Sequence, residues 1–259
     1  MKVTILGCGP SYGIPSIAFG FGQCDPNEPK NRRTRSSILV QEKQTTLLFD
    51  TSTDLRQQLY SAKVQHVDGV LWTHVHADHT AGIDDLRALA CIKEASDGKG
   101  ASLEGYLADW DKEEFWRRFG YCMQPKWDGV PLLNMHTLVP GQAQKIKDLT
   151  VMPMEQEHGS VKSLGFRVGD FAYNTDFNSL SEEAWKLLQG IRVWVVSCIA
   201  LSKAGNKHLG LSEILDMIRQ IKPEQAYLTH MGLSLDYNRI SATLPDNVHM
   251  AYDGLTIQI

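Results

Sequence analysis

The segment Leu71–Arg87 constrains this chain more than any other. It reads LWTHVHADHTAGIDDLR and contains His74, His76 and His79, with Asp78 directly before the last of them. The apolar run GVLWT predicts a buried strand that ends where the histidines begin. Imidazole and carboxylate groups suit borderline divalent cations, and the lack of a thiolate argues against a closed structural zinc site. This loop at a strand end is therefore predicted to carry part of a catalytic metal site.

Three further candidate ligands follow other predicted strands. His158 follows LTVMPM in the segment EQEHGS, Asp176 follows FAYNT, and His230 follows QAYLT. A lone histidine or aspartate at a strand end is usually a surface or capping residue. Since the histidine cluster alone cannot fill a site for two metals, we expect these three residues to converge on it.

The pattern of apolar runs predicts the fold class. Three amphipathic segments predict helices: TDLRQQLYSA, capped by Ser52 or Thr53; SEEAWKLLQG, which opens on Ser181; and SEILDMIRQIKP, which opens on Ser212. Ten short apolar runs predict strands, namely KVTIL, SSILVQ, TTLLFD, GVLWT, LTVMPM, LGFRV, FAYNT, RVWVVSC, QAYLTH and VHMAYDG. Strands followed by helices occur twice, which predicts an α/β (α+β) protein: an αββα sandwich of two mixed sheets with helices outside.

We expect one domain over residues 1–259, in which 95–147 is an insertion or lid, because its pattern is weaker and it is richer in Gly, Trp and charge. The formal net charge of -4 argues against a general affinity for nucleic acid backbones. The 5 cysteines form no C-x-x-C pair, which favours reduced thiols in a cytoplasmic protein. No apolar run reaches the length of a membrane span, and MKVTILGCGP reads as a first strand rather than a signal peptide.

The motif THVHADH, together with His158, Asp176 and His230, resembles the metallo-β-lactamase superfamily over essentially the whole chain. The resemblance implies two divalent metal ions, zinc or manganese, with iron also suitable. It also implies a ligand set in which Asp176 bridges the two ions: the first ion is held by His74, His76 and His158, and the second by Asp78, His79 and His230. The true β-lactamases have a cysteine at the bridging position. An aspartate there points to the phosphodiesterase, ribonuclease Z and glyoxalase branches.

The opening LGCGPSYGIP, the following CDPNEPKNRRTRSS and the segment LLFDT resemble the phosphoribosyl 1,2-cyclic phosphate phosphodiesterase family of the carbon–phosphorus lyase pathway. The segment NKHLGLSEIL is similar to that family's catalytic-histidine segment, which implies that His208 protonates the leaving alkoxide. Members of the family carry a cysteine-rich structural zinc site after the first strand, completed by a late histidine. This chain keeps only Cys24 there and reads MGLS after His230, so no structural zinc is predicted. Asp50, at the end of LLFD, is expected to orient either a metal-binding histidine or the turn.

We therefore expect a dimetal hydrolase, a phosphoric diester hydrolase acting on a small cyclic phosphate or nucleotide-like phosphodiester. A metal-bridging hydroxide would attack phosphorus, with His208 and Asp78 at the reaction centre. Three alternatives stay open: a tRNA 3′-end endonuclease of the ribonuclease Z type, which normally adds a basic arm; a thioester hydrolase of the glyoxalase kind; and a non-catalytic carrier resembling the pyrroloquinoline quinone biosynthesis protein.

We expect a small-molecule partner, with neither membrane nor nucleic acid. The exact substrate and the native metal stay open. So do the existence of a homodimer and the question of whether the basic loop from Lys30 to Arg35 contacts phosphate.

Overall fold

A computed structural model describes residues 1–97, 102–125, 130–202 and 205–259 of the chain. Within these ranges, one sheet combines antiparallel strands at one side with parallel strands at the other. Its seven strands are β1 (Lys2–Gly7), β2 (Ser37–Glu42), β3 (Thr45–Phe49), β4 (Gly69–Leu71), β5 (Leu103–Ala108), β6 (Leu133–Leu138) and β15 (Thr256–Gln258). They lie in the order β15-β1-β2-β3-β4-β5-β6, and the pairs from β3 to β6 are parallel.

The second sheet repeats this arrangement. Its eight strands are β7 (Gln144–Ile146), β8 (Leu149–His158), β9 (Val161–Val168), β10 (Phe171–Asn174), β11 (Ser179–Leu180), β12 (Val193–Ser197), β13 (Gln225–Thr229) and β14 (Val248–Met250). The order is β11-β8-β9-β10-β12-β13-β14, with β7 paired to β8. The pairs from β10 to β14 are parallel, and the others are antiparallel.

Helices cover the outer faces of both sheets. In the described ranges they are α1 (Leu55–Ser61), α2 (Ala77–Thr80), α3 (Leu86–Asp97), α4 (Lys112–Phe119), α5 (Glu182–Leu187), α6 (Leu211–Ile221) and α7 (Tyr237–Ser241). Leu55, Leu86 and Phe115 pack with the outer face of the first sheet, whereas Ala184 and Ile214 belong to the larger core of the second. None of these helices is long and apolar enough to cross a bilayer.

The space between the sheets is filled by side chains from both inner faces. Phe49 of β3 meets Phe166 of β9 edge to face, with ring centroids 5.1 Å apart, and Tyr173 of β10 lies 6.2 Å from the same Phe49 ring. All three rings are fully buried. Two sheets face to face with helices outside are an αββα sandwich, so the predicted fold class is confirmed.

The ten predicted strands are all present, and so are the three predicted helices, although two helix starts were wrong. Ser181 caps α5 as predicted, because its hydroxyl accepts a hydrogen bond from Ala184 N at 3.1 Å. Helix α1 follows Asp54 rather than Ser52 or Thr53, since the Ser52 hydroxyl donates to the buried Gln58 side chain.

Helix α6 begins after Gly210 rather than at Ser212, whose hydroxyl bonds to the neighbouring Glu213 carboxylate instead of a helix N–H.

The segment 95–147 contributes more to the fold than its weak pattern indicated. It contains β5 and β6, which extend the first sheet as parallel strands. Between them, Arg118 of α4 donates to the carbonyl oxygen of Val75 in the histidine loop. Residues 98–101 and 126–129 lie outside the described residues. That 95–147 is an insertion or lid stays a prediction.

Candidate metal centre

The structure brings all seven predicted ligands together where strands of both sheets end. The first sheet supplies His74, His76, Asp78 and His79 from the loop and short helix after β4. The second supplies His158 as the last residue of β8, and Asp176 and His230 from the segments after β10 and β13. Nitrogen and oxygen atoms of these seven residues and of His208 form four groups, each within 4.8 Å, that could hold an ion: His74, His76 and His158; Asp78, His79 and His230; His74, His79 and Asp176; and His158, Asp176 and His208.

Asp176 stands between the first two groups. Its Oδ1 lies 3.7 Å from His158 Nε2, on the side of the first group. Its Oδ2 lies 3.1 Å from His79 Nε2 and 3.3 Å from His230 Nδ1, on the side of the second group. The Thr175 hydroxyl donates a hydrogen bond to Oδ2 at 2.7 Å. Each carboxylate oxygen therefore faces a different set of histidines.

Asp50 orients the loop of the first sheet. It is fully buried, and its carboxylate accepts hydrogen bonds from Thr73 N at 2.8 Å and from the Thr73 hydroxyl at 3.0 Å. The same carboxylate lies 2.6 Å from His79 Nδ1. A histidine whose Nδ1 is held by a carboxylate presents its Nε2 in a fixed direction. Asp50 therefore orients the candidate metal ligand His79 from behind, the position that the sequence predicts for it.

The two histidines of the second sheet are held by groups that no motif indicates. His158 Nδ1 lies 3.1 Å from the carbonyl oxygen of Lys207, which can only accept, so this nitrogen is the donor. The hydroxyl of Ser36 donates to the carbonyl oxygen of Gly9 at 3.0 Å and lies 3.1 Å from His230 Nδ1. A carbonyl and a hydroxyl are too common in any sequence to be recognised, so only the folded chain reveals these partners.

The charges of the site are set by burial and by the contacts between carboxylates and imidazoles. Burial lowers the pKa of His74, His76 and His158, which favours the neutral imidazole. Burial alone would raise the pKa of Asp176, but His230, His79 and His74 outweigh it and hold that pKa well below its ordinary value. Neutral imidazoles and an ionised carboxylate are the forms that bind metal ions.

His79 shows most directly that the site fits a cation. Its Nδ1 faces Asp50, while its Nε2 is buried, lacks a hydrogen bond among the described residues, and lies 3.2 Å from Asp78 Oδ2 and 3.1 Å from Asp176 Oδ2. Burial would lower the pKa of His79, but Asp78, Asp50 and Asp176 together raise it well above its ordinary value. The proton on His79 supplies positive charge between the two carboxylates, and a divalent ion would supply it when the imidazole is neutral.

His208 reaches the site from the loop between β12 and α6. Its ring stacks on that of His230 at 5.3 Å and meets the ring of His158 edge to face at 4.9 Å. Its Nδ1 is buried, lies 3.9 Å from Asp176 Oδ1, and lacks a hydrogen bond within the described part of the chain. Burial lowers the pKa of His208 to about 4.

The basic loop is occupied by contacts within the protein. Lys30 Nζ bonds to the Tyr237 hydroxyl at 3.1 Å, and Arg35 pairs with Asp54 at 3.0 Å. Arg33 is buried, and donates to the carbonyl oxygen of Leu235 at 2.7 Å. These side chains connect the basic loop to the segment after His230 and to the start of α1. Cys24 is also buried, and its thiol lies 3.5 Å from the carbonyl oxygen of Leu233.

Comparison with known proteins agrees with this architecture. The profile of the beta-lactamase superfamily domain matches residues 45–231. The crystal structure of a diphosphatase from the PhnP family has a TM-score of 0.90 and 27% sequence identity, with 100% of this chain and 97% of that chain covered.

Curated relatives match over only part of their length. An octanoyltransferase of Porphyromonas gingivalis is 29% identical over 261 residues, which are 98% of this chain and 51% of that protein. A ribonuclease Z of Methanosarcina mazei is 30% identical over 143 residues, which are 53% of this chain and 43% of that protein. The chain thus spans about half the length of these relatives, and the names of the whole proteins do not carry over.

The superfamily profile extends over most of the chain, from β3 to the segment just after His230, and so includes all seven candidate ligands. The two mixed sheets with helices outside correspond to the fold of the PhnP-family diphosphatase over its whole length. On these grounds, the chain belongs to the metallo-β-lactamase superfamily.

Proposed function

We propose that this hydrolase cleaves a phosphodiester bond in a small molecule, with two divalent metal ions at the centre. The observation that carries the proposal is the position of Asp176, whose two oxygens face separate groups of histidines. The resemblance to a diphosphatase supports phosphorus as the reacting atom. A cyclic phosphate or a nucleotide-like diester fits this description, and so does a diphosphate with a substituent at each end.

The candidate ligands form two sets, one for each ion. His74, His76 and His158 would hold one ion, and a second set of three, Asp78, His79 and His230, would hold the other. When bound, such ions neutralise charge on a phosphoryl group and lower the pKa of water toward neutrality.

The surrounding contacts keep the ligand atoms in place before substrate arrives. Asp50 holds His79, and the carbonyl of Lys207 holds His158, each through the nitrogen that faces away from Asp176. Groups that are already in place need not reorient during the reaction. In many enzymes this preorganisation provides most of the electrostatic stabilisation of the transition state.

His208 is proposed to protonate the leaving oxygen. It is the histidine of the centre left over when the two sets are filled, and its ring lies against both His158 and His230. Burial makes the neutral form the resting state. A phosphate dianion or diester bound next to it would favour the protonated form, because an opposite charge nearby raises the pKa of an imidazole.

One turnover panel tests the proposal against its competitors. Metal-free protein is loaded with zinc or with manganese and offered bis(p-nitrophenyl) phosphate, 2′,3′-cyclic nucleotides, a ribose cyclic phosphate, a pre-tRNA and a glutathione thioester. Turnover of the small phosphodiesters supports the proposal. Cleavage of only the pre-tRNA or only the thioester would favour the ribonuclease Z or glyoxalase alternative. No turnover, with near-zero bound metal after gentle purification, would favour the carrier.

The substitution His208→Ala tests the acid role. With an alkyl leaving group, kcat should fall roughly a hundredfold or more, the usual size of a general-acid contribution. With nitrophenolate, which leaves without a proton, the loss should be much smaller. The metal content should match that of the wild type, since His208 is not assigned as a ligand. Equal losses for both leaving groups, with metal intact, would instead show that His208 binds the substrate phosphate.

A further inference from the structure

Lys207 stands at the rim of the metal centre, directly before His208. Its carbonyl oxygen holds His158 Nδ1 at 3.1 Å, so the main chain at this residue is fixed against a metal ligand. Its side chain is exposed and runs along Gly159, the residue that follows His158.

Gly159 makes room for this lysine. A Cβ atom built at Gly159 would lie only 2.8 Å from Lys207 Cγ, and the φ angle of +68° there disfavours any residue with a side chain. The hairpin turn between β8 and β9 therefore lets the methylene groups of Lys207 lie against its backbone. Such packing restricts the side chain while the charged end stays in water.

The ammonium group of Lys207 has no carboxylate partner among the described residues. Two other exposed lysines do have carboxylate partners. Lys162, at the other side of the same hairpin, bonds to Glu155 at 2.7 Å, and Lys112 pairs with Asp109 at 2.8 Å. An unpaired cation beside a site for a phosphate ester is suited to a second anionic group on the same substrate.

We infer that Lys207 binds the second phosphate of a diphosphate substrate, next to the phosphate held at the metal centre. The inference rests on the proposed phosphodiester hydrolysis and narrows its substrate class. Lys207 is one residue from the proposed acid His208 and lies over the residue that follows the ligand His158. That placement suits a group bonded directly to the reacting phosphate rather than one at the far end of a long substrate.

Competitive inhibition tests this assignment with two related anions. Turnover of bis(p-nitrophenyl) phosphate is inhibited by inorganic phosphate and, separately, by inorganic diphosphate. Lys207→Gln should raise the inhibition constant of diphosphate roughly five- to twentyfold, the range for a partly exposed charge-assisted contact. The constant for phosphate should change less than about twofold, and Lys207→Arg should stay close to the wild type because it keeps the charge.

Lys145→Gln is the matched control. Lys145 is an exposed lysine on β7, paired with Thr150 at the far end of β8 from His158. Diphosphate also sequesters metal ions, but that effect is common to all variants and cancels in the comparison. The metal content of Lys207→Gln should equal that of the wild type, since the carbonyl oxygen that holds His158 is kept.

Isothermal titration calorimetry of diphosphate binding gives a readout independent of turnover. If the wild type hydrolyses the phosphodiester but Lys207→Gln binds both anions as the wild type does, or loses both equally, the role of Lys207 is wrong while the proposed function stands. If no phosphodiester is hydrolysed with either metal, the proposed function fails. A selective loss of diphosphate affinity in the calorimeter would still support Lys207 as the anion-binding residue.

Discussion

Three residues of the centre have a backbone conformation that side chains rarely adopt. The φ angles of Asp50, Asp176 and His230 are 63°, 52° and 53°, in the left-handed region. Residues other than glycine pay about 1 to 3 kcal/mol for such a conformation unless the surroundings impose it. All three follow buried strands: Asp176 and His230 lie among the candidate ligands, and Asp50 contacts His79 from behind. The surrounding contacts therefore hold these three side chains on a backbone conformation that is unfavourable by itself.

The bridging role of Asp176 predicts how metal is lost. Asp176→Ala should lose both ions together with activity, because each of its oxygens faces a different set of ligands. His230→Ala, which removes a ligand from one set only, should keep partial occupancy. Elemental analysis of the loaded and desalted variants measures this. Asp176→Asn serves as a second variant, since asparagine tolerates the left-handed backbone. Two full equivalents of metal in either Asp176 variant would contradict the bridging role.

Residue types and their order were enough to predict the ligand candidates, but not the groups that orient them. A histidine or aspartate after a buried apolar run is conspicuous, and seven of them converge here. Ser36, Thr73 and the carbonyl of Lys207 carry no such signal, because hydroxyls and carbonyls occur throughout the chain. Asp50 was predictable because it follows a strand parallel to the one that precedes the histidines.

At the scale of elements, hydrogen bonds hold the loop that contains Asp25 and Asn31 to the segment after His230. Asp236 accepts from Asp25 N at 2.9 Å and from Asn31 Nδ2 at 2.7 Å, and it also caps α7. Buried polar contacts of this kind are strong when every group is satisfied. They connect two segments without needing a thiolate, so Cys24 is not required as a metal ligand to close the loop.

Cys24→Ser should therefore change neither the metal content nor the Tm appreciably, because a lone thiolate cannot complete a tetrahedral zinc site. The serine hydroxyl can donate to the carbonyl oxygen of Leu233 as the thiol does. Asp236→Ala, in contrast, should lower Tm by several degrees, since it leaves buried donors unpaired. Thermal denaturation and metal analysis measure both effects. The loss of one equivalent of zinc in Cys24→Ser would show that a third metal site exists.

Helix α4 begins after a buried carboxylate that lacks a partner. Burial raises the pKa of Asp111 to about 7, and its Oδ2 has no hydrogen bond among the described residues. The folded protein thus holds this proton more tightly than the unfolded chain, whose pKa is near the ordinary 3.8. Stability is lost as the pH rises between these two values, and the full penalty is present above about pH 7.

Asp111→Asn removes this penalty. Its free energy of unfolding should exceed that of the wild type by about 1 to 3 kcal/mol more at pH 8 than at pH 5. Unfolding in urea at the two pH values measures the difference. The control is Asp109→Asn, since Asp109 is an exposed carboxylate two residues earlier that pairs with Lys112. An advantage of equal size at both pH values would show that Asp111 is ionised in the folded protein.

Elements with a continuous apolar pattern were predictable, and those without one were not. Strands β5 and β6 lie in a segment of weak pattern, yet they complete the parallel half of the first sheet. Strand β5 pairs with β4, and β6 pairs with β5, so both strands depend on tertiary contacts that no local pattern shows. The four-residue helix α2 lies inside the histidine motif, where the polar candidate ligands give no helical pattern of apolar residues.

At the scale of the molecule, the centre joins two similar halves. Four candidate ligands follow β4 of the first sheet, and three lie at or after the ends of strands of the second. The doubled order of strands and helices made the sandwich predictable from sequence. Which side chains meet between the two sheets was not predictable, because this depends on contacts such as that between Phe49 and Phe166 across the core. Ions held by both sets of ligands would also connect the sheets at one edge.

Metal binding should therefore stabilise the whole fold. A ligand that binds only the folded state at a hundred times its Kd adds about 2.7 kcal/mol, which corresponds to a rise in Tm of roughly 5 to 10 °C for a chain of this size. Loading metal-free protein with zinc or manganese and recording thermal denaturation measures the rise. His230→Ala, with one set of ligands incomplete, should show a smaller rise. If two equivalents bind without any change in Tm, the ions do not connect the two halves. Ions that held ligands from both sheets would stabilise the folded state and raise Tm.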